Sequence, residues 1–137
     1  MLSAPPAVSQ QTQVLLHAVT AEQNLIVIYA EVMSEYSGLA ATLAPLRAEH
    51  EAHLAQLRAR VVEPPGKQVH ETVTARPPIT GTKSAALAQL RAAERAAVTA
   101  QMDRLAAAPA SLAQLYASIA ACESTHVSVL GAQIGTQ

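Results

Sequence analysis

Apolar residues recur three and four positions apart over four stretches of the 137-residue chain, the spacing that gives a helix one apolar face. The pattern predicts helices over about 9–36, 42–62, 83–107 and 110–133. Ser9 is placed to cap the first and Ser37-Gly38 to end it; Pro45 falls in the first turn of the second. Thr82 or Ser84 can cap the third, and the fourth should start at Pro109 or Ser111. Between the second and third lies "VVEPPGKQVHETVTARPPITGTK", whose two Pro-Pro pairs and two glycines exclude a continuous helix. Short connections fold the outer segments into two antiparallel hairpins, and a crossover over about 63–82 can travel the length of a bundle. The expected fold is all-α: residues 1–137 as one four-helix bundle, two hairpins joined by a long crossover in up-down-down-up order.

The seam facing the bundle interior has one unusual property. In the first segment it reads Leu15, Ala18, Glu22, Leu25, Tyr29, Val32, Tyr36, and in the second Leu43, Leu46, His50, His53, Leu57, Val61. The third gives Leu87, Leu90, Glu94, Ala97, Gln101, Leu105, and the fourth Leu112, Tyr116, Ile119, Glu123, His126, Leu130. Every helix is broken by polarity, and the breaks match in height. Glu22 lies 14 residues before Tyr36, while His50 and His53 lie 8 and 11 after Thr42; Glu94 lies 13 before Ala107 and Glu123 14 after Pro109.

Three carboxylates buried at one level must neutralise or find a cation. No Lys or Arg occupies the seam; Arg47, Arg91 and Arg95 lie on the flanks, where long side chains keep their charge in water. A metal ion would balance the layer. Glu123 and His126, three residues apart in "ESTH", share a helix face and can present an oxygen and a nitrogen to one ion.

This arrangement resembles the ferritin-like di-iron carboxylate superfamily, in which two helices each give a Glu and two give Glu-x-x-His. Glu22 and Glu94 match the lone carboxylates, and Glu123 with His126 matches one pair. "LRAEHEAHL" and "SIAACESTH" are also similar in texture to short alanine-rich actinobacterial ferritin-like proteins of unknown function. The resemblance spans about residues 10 to 133 and implies metal ligands at Glu22, His50, His53, Glu94, Glu123 and His126. It further implies iron first, with manganese, zinc or copper compatible with a mixed Glu/His set, and oxidation of iron or reaction with oxygen or peroxide. Tyr29, seven residues after Glu22, looks like the tyrosine many ferritins place there, which would make it a candidate redox residue. The departure is in the second helix, where "HEAH" puts His50 at the position of an expected glutamate, so a symmetric doubly bridged di-iron centre is not expected.

Composition narrows the alternatives. A net charge of −1 and a pI near 6.5 give no basic face for nucleic acid, and apolar runs such as "NLIVIYAEVM" fall short of the ~20 residues that cross a bilayer. The opening "MLSAPPAVSQQTQ" has no signal-peptide character, so a cytoplasmic location is expected, although a removed export signal would leave the same sequence. The single cysteine, Cys122, excludes an intramolecular disulfide and reads as a small side chain packed beside Glu123; Met33 and Met102 read as gap fillers, and His70 as a solvated crossover residue. Metal ions are the expected partners, with a monomer or small oligomer such as a homodimer. The competing expectation is a non-catalytic ferritin-like module, in which the polar layer fixes helix register and the surface binds other proteins.

Overall fold

The computed structural model describes residues 9–62, 79 and 81–137, and it is a bundle of four long helices. Helix α1 spans Gln10–Glu35, α2 Ala40–Arg60, α3 Lys83–Ala107 and α4 Ala110–Ile134. The crossover, with His70, lies almost wholly outside the described residues. The ends follow local chemistry. The Ser9 hydroxyl accepts from the Thr12 amide at 3.1 Å, and Thr82 does the same for Ala85 at 3.1 Å, so each satisfies one of the donors that a helix start leaves over. Pro109 serves as N-cap residue of α4, its missing N–H being no loss at that position.

One boundary differs from expectation. A single 3-10 turn, Ser37–Leu39, carries the chain directly into α2, which starts at Ala40 rather than Thr42. Pro45 therefore sits in the second turn of α2, where it withholds a hydrogen bond from the Ala41 carbonyl. Leu39, brought inward by that turn, is 3% exposed, so burial of its side chain compensates for the imperfect helix start.

Two apolar clusters occupy the ends of the interior. The upper one joins Tyr29 and Val32 of α1, Leu43 and Leu46 of α2, Leu87 and Leu90 of α3, and Leu130 of α4. The lower one joins Leu15 and Val19 of α1, Leu57 of α2, and Leu112 and Ile119 of α4, with Leu105 of α3 against it. Since α1 and α4 rise from the lower cluster to the upper while α2 and α3 descend, the order is up-down-down-up. The end of α2 and the start of α3 consequently lie at opposite ends of the bundle. The arginines of the flanks stay outside the seam: Arg47 pairs with Glu51 at 3.3 Å on the surface, and Arg91 donates to the Val127 carbonyl at 3.1 Å. Met102 does not fill a gap as expected; it is 51% exposed, because its position on α3 follows Gln101 around the helix to the solvent side. Met33 does pack, against the upper cluster.

Leu43 and Leu87 are fully buried, and truncating either to Ala should cost about 2–5 kcal/mol, whereas Met102→Ala should change stability by no more than about 0.5 kcal/mol. Urea unfolding of the three variants measures the contrast.

Candidate metal centre

Between the two apolar clusters lies a polar layer. Glu22, His50, Glu94 and Glu123 are 0% exposed, His126 2% and His53 8%, so the six residues singled out in the sequence are all buried. Helix periodicity puts them there: each occupies a seam position one or two turns from a buried leucine or tyrosine of its own helix.

His50 is the hub. Its Nδ1 is 2.7 Å from Glu22 Oε2 and its Nε2 is 2.6 Å from Glu94 Oε1, so a ring carried by α2 bridges carboxylates carried by α1 and α3. Burial alone would lower its pKa, but hydrogen bonds to Glu22 and Glu94 and their charges outweigh burial and raise it to about 10. The ring is then an imidazolium that donates to both acids. Burial would likewise raise Glu94, yet the hydrogen bonds from His126, His50 and Tyr29 hold it down at about 2. Glu22 is also lowered, burial being outweighed by His50 and His53.

Glu94 Oε1 collects three partners. Besides His50, the Tyr29 hydroxyl donates to it at 2.6 Å, and His126 Nδ1 lies 3.0 Å away. His126 Nδ1 and His50 Nε2 are themselves 3.2 Å apart, so one oxygen and two ring nitrogens face a common point. Glu22, His50 and His53 form a second set that shares the His50 ring; His53 Nδ1 is 3.7 Å from Glu22 Oε2. In each set the ligating atoms lie within 4.8 Å of one another, compact enough to surround one ion. Burial and the Glu94 carboxylate together push the Tyr29 hydroxyl far above its ordinary value, which keeps it a proton donor to Glu94.

Glu123 is placed differently. It is in the layer, but neither oxygen has a hydrogen-bond partner, and it belongs to neither compact set. Desolvation, with the charges of Glu22 and Glu94 nearby, lifts its pKa to about 9. The Glu-x-x-His pair is thus split: His126 turns to Glu94 and His50, while the Glu123 carboxyl stays apart from them.

Two residues outside the expected set adjoin the layer. Glu49 Oε2 is 2.9 Å from His126 Nε2, and Cys122, only partly buried, donates its thiol proton to the same oxygen. The sequence carried a signal for Cys122, since it precedes His126 by four residues and so shares its face. Glu49, beside His50, had none that separated it from the equally charged Glu51.

Compared with known proteins, the chain matches no family model, no curated protein and no solved structure.

These charges fix a pH profile for the metal-free chain. His50, ordinarily 6.5 and about 10 here, contributes stability that is complete below pH 6.5 and lost as pH rises through 10. Glu94, ordinarily 4.5 and about 2 here, contributes above pH 4.5 and loses its share as pH falls through 2. Glu123, raised from 4.5 to about 9, penalises folding increasingly between those values. Denaturant midpoints measured from about pH 3 to about pH 10 should accordingly peak near pH 4.5 and fall as pH rises towards 10. His50→Leu, which leaves two buried carboxylates without their counter-charge, should cost about 3–5 kcal/mol at neutral pH.

Proposed function

We propose that this chain is a ferritin-like metal-binding protein whose buried Glu/His layer holds one or two metal ions, iron first among them. The observation that carries the proposal is the set of ligating atoms left over in the layer. Glu22 Oε1, His53 Nδ1, Glu94 Oε2 and both oxygens of Glu123 are buried with no hydrogen-bond partner. Leaving one such atom unsatisfied costs about 1–3 kcal/mol, and five in one layer, all of types that bind metals, fit a cation better than an apolar core. His50 supports the same reading. A ring nitrogen on each side serves both ligand sets, which is how it can take the place of the two-oxygen carboxylate that the ferritin-like scheme has there.

Glu22, His50, His53, Glu94 and His126 would hold the metal, with Glu123 supplying a further carboxylate from α4. A redox metal bound there would supply one-electron chemistry towards oxygen or peroxide, which would make the protein a ferroxidase or peroxidase-like oxidoreductase. The surrounding residues have defined tasks. Tyr29 fixes the orientation of the Glu94 carboxylate through its 2.6 Å hydrogen bond and holds a proton at its hydroxyl beside the ligands. The apolar clusters above and below keep bulk water from the layer, which strengthens each electrostatic contact inside.

One observation favours the second reading, a register-fixing layer in a non-catalytic interaction module. The two charge-assisted hydrogen bonds of His50 already tie α1, α2 and α3 together with no metal. A double substitution separates the two readings. Glu123→Leu with His126→Met should abolish metal retention in elemental analysis of untagged protein, and with it the metal-dependent rise in melting temperature expected of the parent. A parent that retains no metal, shows no such rise, and is matched or exceeded in stability by the double variant is the register-fixing module.

Metal-stripped Glu123→Leu carries its own expected outcome. Removal of two buried unsatisfied oxygens should stabilise the chain by about 1–3 kcal/mol at pH near 8. The gain should shrink as pH falls towards and below 4.5, where the parent's carboxyl becomes neutral in the unfolded as well as the folded state. Denaturant unfolding at the two pH values measures it.

A further inference from the structure

The geometry points to a second metal site on the flank of the bundle, formed by Glu49, Cys122 and His126 and suited to a thiophilic divalent cation of the zinc class. The three ligating atoms, a carboxylate oxygen, a sulfur and an imidazole nitrogen, lie within 4.8 Å of one another. Cys122 and His126 are one turn apart on α4 and chelate from a single helix face; Glu49 reaches them from α2. The spacing is that of a shared ion. Zinc bonds of about 2.3 Å to sulfur and about 2.0–2.1 Å to nitrogen, at a tetrahedral angle, set sulfur and nitrogen about 3.6 Å apart. Cys122 Sγ and His126 Nε2 are 3.6 Å apart. Three protein ligands leave a fourth position to solvent, the arrangement of a zinc site that exchanges or reacts rather than one that only braces a fold.

His126 connects this site to the core. Its Nδ1 faces Glu94 and His50 in the buried layer, while its Nε2 faces Glu49 and Cys122. The Glu49 side chain is 51% exposed, so the flank triad is where the series of ligating atoms beginning in the closed layer reaches water. An ion captured there lies one imidazole ring away from the core ligands. Binding is coordination without redox: the Sγ–H bond of Cys122 breaks, its proton passes to water, and the freed electron pair forms the sulfur–metal bond. The site shares only His126 with the core ligands, through the other ring nitrogen, and needs none of Glu22, His53, Glu94 or Glu123.

Cobalt(II), a spectroscopic stand-in for zinc, tests it on the full chain stripped with a chelator. A near-ultraviolet sulfur-to-cobalt charge-transfer band should develop with Co²⁺, be absent from Cys122→Ser, persist in Glu22→Gln, and require at least about tenfold more Co²⁺ in Glu49→Gln. Helical circular dichroism verifies that each variant is folded, and because Cys122 is partly exposed the serine variant keeps the packing of α4. No band in the parent, or a Glu49→Gln titration equal to that of the parent, overturns the flank site. The two sites fail separately. A parent without the band whose metal content is matched by Cys122→Ser loses the flank site and keeps the core site, whereas a band in the parent with no metal left in Cys122→Ser keeps the flank site and removes the core one.

Discussion

Two ionised carboxylates on different helices cannot share a water-free interior without positive charge between them, and the layer is built around that constraint. Glu22 and Glu94 are both fully buried, and the His50 ring spans them at 2.7 and 2.6 Å. Because the acids belong to α1 and α3 and the ring to α2, satisfying the charges also fixes the rotation and register of three helices. The apolar clusters at either end make the demand stricter, since they exclude the water that would otherwise screen the acids. The fourth helix joins through His126, whose Nδ1 approaches the same Glu94 oxygen at 3.0 Å.

Protons and metal ions would compete for this layer, because the atoms that hold protons are the atoms that could hold metal. Without metal, His50 carries the positive charge and Glu123, pushed up to about 9, keeps its proton. A metal bound there would exchange those protons for the cation, so its affinity would rise with pH over the range in which the metal-free protein loses stability. A histidine in place of a fourth carboxylate shifts that balance in a definite direction. It removes one negative charge from the ligand set, and it lets the empty layer be neutralised from within by an imidazolium, which a glutamate in its place would not do. His50 therefore lets the bundle close without metal.

Much of this was legible along the chain, for a physical reason. Seam positions follow from the 3.6-residue period, and a polar residue repeated at one height in four helices stands out against leucine and alanine on either side. Leu15, Glu22 and Tyr29 on α1, or Leu112, Ile119 and Leu130 on α4, are buried where the period puts them. The Ser9 and Thr82 caps were likewise readable, because an N-cap hydrogen bond is local to four residues. Met102 was misplaced because a lone apolar residue beside a seam position carries no periodic signal of its own. Glu49 escaped notice because nothing in "AEHEAH" distinguishes the acid that turns towards α4 from Glu51, which pairs with Arg47.

Spacing within each helix was enough to place the four helices and the height and burial of the polar layer, and the short connections were enough to pair them as hairpins. Which polar atoms meet was settled by packing between helices. It set His50 between Glu22 and Glu94, left Glu123 without a partner, and turned the second nitrogen of His126 outward to Glu49 and Cys122. Those outcomes depend on the rotation of each helix about its axis and on side-chain torsions at the point where helices meet, and contacts between residues some 30 to 80 positions apart are set by packing of the whole bundle.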